Sequence, residues 1–315
     1  MKSKLAMLSA AAVAVGALAA APQLFAQQAA PRAPAPTGGI PETPRDPNAF
    51  PREQGQNVNG MHVYIRGGLK SHGDGEHDYP QFMADFSKTL TAHGAVVDGS
   101  FHFPTPDELK GVDVIVMYKG DTGYMTPVEK ANLEAFVRRG GGIVTLHDAM
   151  CGPDPEYYAT ILGGAKKHGT VNYTLEAPVP YTVVDKASPL MKGITDGLTI
   201  TDESFYNMTW AESPKIKVLA TTVIADTPSA RNGGGSSKVG QVVPQIWTYE
   251  HTLAGGQPAR AFVWMQGHSY ANIMKPEFTN MLLRGIAWAG KQPVDSLVDY
   301  KPPARPAQPA RTPAA

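Results

Sequence analysis

The chain has a single cysteine, Cys151, in 315 residues. One thiol cannot close an intramolecular disulfide, so the fold must stand on its hydrophobic core. Net charge is also missing, since 28 Lys and Arg balance 28 Asp and Glu. A near-neutral chain gives no electrostatic case for binding nucleic acid or anionic lipid, and neither is expected as a partner. There is no H-E-x-x-H and no pair of C-x-x-C motifs, so no metal can be read from local spacing. The first strand is followed by Gly67-Gly68 without the full G-x-G-x-x-G spacing, which weakens a dinucleotide reading. No internal repeat is visible, and past the N-terminus no run is long and apolar enough to span a bilayer.

Residues 1–26 have the three parts of a secretory signal peptide: Lys2 and Lys4, an alanine-rich apolar run over 5–21, and Leu24-Phe25-Ala26 as the cleavage site. The competing reading is a membrane anchor. Ala and Gly dilute the run and Pro22 ends it, so cleavage after about Ala26 is expected. Cleavage removes two lysines, leaving 26 basic against 28 acidic residues and a formal charge of −2. A periplasmic or secreted protein without stable membrane insertion follows. Residues 27–57 form a Pro/Ala/Gln-rich linker, expected to be disordered, with an ordered arm as the alternative. Residues 58–292 make one domain, and 293–315 a Pro/Ala-rich C-terminal tail.

Within the domain, β-rich runs at 61–65, 95–97, 112–117 and 143–146 alternate with helical patterns at 81–93 and from 126 onward. Thr126-Pro127-Val128-Glu129 supplies a cap, a proline at the first helical position and an acid in the first turn. Such β-α-β-α-β order predicts a parallel sheet with right-handed crossovers and helices on both faces. A short helix is expected over 155–162. Strands follow at 170–175, 181–184, 198–201, 218–222, 245–248 and 261–265, then an exposed Gly/Ser-rich loop at 229–242 and a last helix over 277–289.

Candidate chemistry begins at His147, which ends the buried strand that Gly140-Gly141-Gly142 leads into. Ligands bind at the C-terminal ends of strands in open α/β sheets. An imidazole there can be a general acid/base, a metal ligand or simply a residue that orders the loop. His268 follows Val263-Trp264-Met265-Gln266-Gly267 in a similar setting. Asp202 and Glu203 follow a strand, and alternation along extended chain lets one of them face a site; a solvated acidic turn is the other reading. His168 sits in a glycine-bracketed loop and His77 in the polar loop after the first strand. Tyr206 and Trp247 are candidates for stacking on a ligand ring, or core aromatics. Cys151 lies four residues beyond His147, not at the strand tip, and reads as a buried small hydrophobe rather than a nucleophile. Histidines 147, 168 and 268 with Glu203 could converge on a divalent metal such as Zn, or form a metal-free acid/base site.

Several motifs in order carry a family resemblance across about residues 61–290. They are His77-Asp78-Tyr79, the stretch Gly140-Gly141-Gly142-Ile143-Val144-Thr145-Leu146-His147, Gly163-Gly164 with His168, Asp202-Glu203 with Tyr206, Gly267-His268-Ser269, and Leu282-Leu283-Arg284-Gly285-Ile286-Ala287-Trp288. In these the chain resembles the ThuA-like (trehalose-utilisation) proteins of the class I glutamine amidotransferase-like superfamily. The resemblance implies a flavodoxin-like, three-layer α/β/α sandwich with a mostly parallel central sheet, and a place in sugar utilisation. Glutamine amidotransferases carry their nucleophilic Cys at the strand tip; His147 stands there, which disfavours glutaminase activity. Many relatives have a His-Glu pair where this chain has Tyr249-Glu250.

Together these features point to an exported protein of carbohydrate utilisation that acts on a sugar or oxidised (keto) sugar. His147 and His268 with Asp202 or Glu203 would be the acid/base or ligand set, and His77, His168, Tyr206 and Trp247 would line the substrate pocket. The alternatives are a non-catalytic sugar-binding module or a structural domain on a degenerate amidotransferase-like fold.

Overall fold

The structure, a computed structural model, describes residues 60–168, 173–213 and 215–302. The expected signal peptide and linker, and the tail beyond 302, lie outside the described residues.

The first half alternates strand and helix as its periodicity demands: β1 (His62–Arg66), α1 (Tyr79–Ala92), β2 (Val96–Ser100), β3 (Val114–Met117), α2 (Pro127–Arg138) and β4 (Gly142–Leu146). Helix α2 starts on a complete capping box, Thr126 accepting from the Glu129 N–H while Glu129 accepts from the Thr126 N–H. A cap of this kind contributes about 1 kcal/mol. The second half adds β5 (Cys151–Gly152), α3 (Pro155–Leu162), β6 (Gly164–Lys167), β7 (Tyr173–Pro180), β8 (Thr182–Val183), β9 (Thr199–Phe205), β10 (Thr209–Trp210), β11 (Ile216–Val223), α4 (Pro228–Arg231), β12 (Val242–His251), β13 (Ala259–Trp264), α5 (Tyr270–Ile273) and α6 (Pro276–Ala289).

Eight strands form one sheet in the order β2-β1-β3-β4-β13-β12-β11-β8. The first five run parallel, and β12, β11 and β8 continue antiparallel. Alternating side chains feed two cores. Val63 and Ile65, Val114 and Val116, Val144 and Leu146, and Phe262 and Trp264 pack with α1 and α6. Tyr64, Ile115, Met117, Ile143 and Val263 pack with α2 and α3 on the opposite face. Both faces of the inner parallel strands β1, β3, β4 and β13 are therefore covered, which is why these segments read as continuous apolar runs, whereas the edge strand β2 stays partly exposed. Gly142 is required by close approach, because a Cβ there would run into the Ala289 carbonyl at the end of α6.

Three differences from expectation matter. Asp202 and Glu203 lie inside β9, not after it: β9 runs on to Phe205 by pairing with β7. Burial of those acids in a ladder is invisible to a hydrophobicity pattern. The 229–242 stretch begins with the short helix α4, capped by the Thr227 side chain on the Ala230 N–H. Finally, the domain extends past 292. Leu297 is buried in the core, and Asp295 accepts from Arg284 at 2.6 Å.

His251 ends β12, buried and stacked flat on Tyr249 at 4.5 Å. Neither of its ring nitrogens has a hydrogen-bond partner among the described residues. Burial, and then the charge of Lys215, push its pKa down to about 4. In the unfolded chain the ring takes its proton near 6.5. Between those values the unfolded state binds more protons, so stability falls as pH drops from about 6.5 to about 4. A His251→Leu variant is therefore expected to gain on the wild type as the pH is lowered, by at most about 3 kcal/mol. Urea midpoints at neutral pH and near pH 4.5 check this; a difference between the two proteins that is the same at both would refute it.

Candidate functional site

Three loops leave the C-terminal edge of the parallel strands and bring histidines to one point. His147 follows β4 directly, His268 lies just beyond β13, and His77 precedes α1 in the loop after β1. His77 Nε2 lies 2.9 Å from His147 Nε2 and 3.0 Å from His268 Nδ1. All three residues are buried. The loops also brace each other: the His77 N–H donates to the His268 carbonyl at 2.9 Å, and His147 Nδ1 donates to the Met265 carbonyl at 3.2 Å.

That last bond fixes a tautomer. A carbonyl only accepts, so His147 carries its hydrogen on Nδ1 and turns the bare Nε2 toward His77. His77 Nε2 has at most one hydrogen, which can point to one neighbour. If it has none, it accepts from His268 and meets His147 lone pair to lone pair. With neutral rings, at most one of the two N···N contacts is a hydrogen bond. Protonation does not resolve this: burial first, and neighbouring imidazoles as well, push His77 down to about 2, and burial pushes His147 down to about 4. The set is short of positive charge and rich in lone pairs, a donor arrangement that suits a borderline cation.

Two carboxylates flank the rings. Glu203 Oε2 is 3.6 Å from His147 Nε2, and its Oε1 is 3.6 Å from His268 Nδ1. Asp148 Oδ2 lies 3.9 Å from His147 Nε2 and 4.0 Å from His77 Nε2, and Lys166 Nζ lies 3.8 Å from Asp148 Oδ1. Their environments separate them. Burial, with the Asp148 charge adding to it, raises Glu203 to about 8. Burial also pushes Asp148 upward, but His147, Lys166 and His77 outweigh it and hold the carboxyl below its ordinary range. One acid is thus kept protonated and the other ionised at neutral pH.

A β-bulge aims Glu203. Thr174 pairs with Ser204 and Ala177 with Asp202, so two residues of β7 stand opposite the single Glu203. Bulges re-aim side chains near functional sites. Asp202, fully buried, serves the backbone. Its Oδ1 accepts from the N–H groups of Glu203 (2.8 Å), His268 (3.1 Å) and Gly267 (3.3 Å), and its Oδ2 accepts from the Asn272 amide (2.8 Å). Gly267 sits at φ +134°, where a side chain would be strained and its Cβ would press on His147. Non-glycine residues in the left-handed region cost roughly 1–2 kcal/mol each. His72, His77, Asp121 and His147 all adopt it around this site.

The family model for trehalose utilisation, ThuA, matches residues 70–289. The chain belongs to the ThuA family. Two solved structures with this fold are a putative ThuA-like protein from Bacteroides uniformis (18% identity, TM-score 0.52) and one from Parabacteroides merdae (19% identity, TM-score 0.53). Each match covers 73% of this chain and 90% of the other. At such identity the likeness concerns the fold. No curated protein matches the sequence significantly.

Several site expectations for this ThuA chain change. His77, expected to line a pocket, is the central imidazole. His168 does not join the trio: it is half exposed, its Nδ1 2.9 Å from Asp121 Oδ1, in a separate grouping with Asp121 and Cys151. Tyr206 and Trp247 offer no ring to a ligand, because both are fully buried. The Tyr206 hydroxyl lies 3.1 Å from the Tyr173 and Ser229 carbonyls, and the Trp247 N–H donates to the Leu162 carbonyl at 2.9 Å. Cys151 is also fully buried, and burial pushes its thiol well up. Asp148 and Lys166 were missed by sequence reasoning. Asp148 had a usable signal, since it directly follows the strand-tip histidine. Lys166 had none, because lysine in a polar loop reads as solvated surface.

Proposed function

We propose that this ThuA-family protein is an exported carbohydrate-active enzyme whose reaction centre is His77, His147, His268 and Glu203. Its substrate on this reading is a sugar or an oxidised (keto) sugar. One observation carries the proposal: two buried imidazole nitrogens, His147 Nε2 and His268 Nδ1, converge within 3.0 Å of a third, His77 Nε2, with the Glu203 carboxyl group 3.6 Å from the rings of His147 and His268. A structural cluster would not concentrate lone pairs in this way. The family's link to trehalose utilisation supports a sugar substrate, and the lysine-flanked apolar run at the N-terminus supports export.

The three imidazoles would hold a divalent ion such as Zn, which would polarise a carbonyl or hydroxyl oxygen of the sugar. Glu203 would give or take a proton at a substrate oxygen. Asp148, held ionised beside Lys166, keeps the imidazoles oriented and their surroundings negative. Burial of the whole set excludes water and strengthens each electrostatic contact.

Elemental analysis of the purified chain, together with turnover of trehalose, glucosides and their 3-keto forms with and without a chelator, tests the proposal. The expected result is about one metal per chain, lost to the chelator together with turnover. Sub-stoichiometric metal in every preparation would remove the ion from the reading. Saturable sugar binding with no turnover would replace the enzyme with a binding module.

A further inference from the structure

A second depression lies near the other end of the sheet. Lys217 and Leu219 of β11 share a face with each other, as do Thr248 and Glu250 of β12, since residues two apart along a strand point the same way. Lys217 and Thr248 are partners across the two strands. The 185–190 turn and Trp288 of α6 wall this patch, enclosing about 280 Å³. Glu250 is paired with Arg260 at the start of β13, whereas His268 lies beyond the end of that strand. At about 3.3 Å per residue, roughly 20 Å separates the two places.

The polar groups here are held and balanced. Arg260 Nε lies 3.5 Å from Glu250 Oε2, its guanidinium sits over the Trp288 ring 4.9 Å from the centroid, and its Nη1 donates to the Trp288 carbonyl at 3.0 Å. Lys217, Asp185 and Glu250 are the charged groups of the lining, and Arg260, behind it, offsets Glu250, so that Lys217 and Asp185 leave the patch near neutral. Such a lining gains nothing from a ligand of net charge. It presents charged acceptors and donors and Thr248 beside apolar Leu219, Leu190 and Trp288. An uncharged ring bearing hydroxyls on its rim and C–H groups on its faces meets both needs. The volume is at the bottom of the range for small-molecule sites, about 300 Å³, which suits one ring.

We propose that this depression is a second carbohydrate-binding site, for a single neutral sugar ring, either free or at the end of a glycan. It does not depend on the chemistry of the histidine centre. The test is calorimetric titration of the full chain with methyl glucoside, methyl galactoside, trehalose, maltotriose and glucuronate. It is run on the wild type and on His147→Ala, Glu250→Gln and Thr248→Val. Glu250 is half exposed, so its loss costs little stability. Binding with a Kd of roughly 1 mM is expected to survive His147→Ala. It should weaken about tenfold in Glu250→Gln, as loss of a charge-assisted hydrogen bond implies, and also weaken in Thr248→Val. Equal affinity for the methyl glycosides and maltotriose marks a free ring as the occupant, and tighter maltotriose binding a chain end. No saturable binding by the wild type overturns the proposal. So does binding that His147→Ala abolishes and Glu250→Gln leaves unchanged, or binding confined to a sugar acid such as glucuronate.

Discussion

Replacing His147 by alanine is expected to abolish stoichiometric metal binding and to lower turnover by about 10²–10⁴-fold, the range for a lost acid/base group. The ring does three things at once. Its Nδ1–H is anchored on Met265, its bare Nε2 faces His77, and Glu203 lies 3.6 Å away. No neighbour can take its place, because Asp148 and Lys166 are already engaged with each other at 3.8 Å. Stability should respond differently. His147 is held at φ +51°, a conformation that glycine adopts freely and alanine does not. His147→Gly should therefore be more stable than His147→Ala by about 1 kcal/mol, although both are inactive. Denaturant midpoints, metal content and turnover of the two variants separate conformation from chemistry. Full activity in His147→Ala would sink the assignment of this residue.

How far the site could be read from sequence depended on what kind of order placed each group. Strands β1, β3, β4 and β13 were legible because burial on both faces makes them unbroken apolar runs. Helix α2 was legible from its cap, its first-position proline and its first-turn acid. His147 and His268 stood out because strand-tip position is a local property. His77 was harder: its loop has no periodicity, and backbone pairing with the loop after β13, the His77 N–H on the His268 carbonyl and the Tyr270 N–H on the Gly75 carbonyl, brings it to the centre. Lys166 depends on β6, a short strand outside the main sheet that no hydrophobic pattern announces. Tyr206 and Trp247 failed as ligand platforms for a related reason. An aromatic residue near a polar motif looks the same in sequence whether its ring is capped by a carbonyl deep in the core or open to solvent.

Asp202 was placed among the acid/base candidates, and its geometry gives it a positioning role with a large predicted effect on the fold. Its carboxylate satisfies three backbone N–H groups and the Asn272 amide where no water competes. Alanine would leave those donors buried and unpaired, at about 1–3 kcal/mol each before relaxation. A total loss of about 3–5 kcal/mol is expected for Asp202→Ala, in line with removing one partner of a buried charged network. Asparagine keeps an oxygen for the three N–H groups but turns an NH₂ toward the Asn272 donor, so Asp202→Asn should lose only about 1–2 kcal/mol. The two variants also differ at the site. Asp202 fixes the Gly267-His268 turn, and the His268 carbonyl in turn holds the His77 backbone. Asp202→Ala should consequently weaken metal binding even under conditions where it remains folded, while Asp202→Asn largely preserves it. Urea unfolding and metal titration of both proteins decide the matter. An alanine variant within about 1 kcal/mol of wild type would show that the turn stands without its carboxylate, and that the histidine centre is organised by the imidazoles alone.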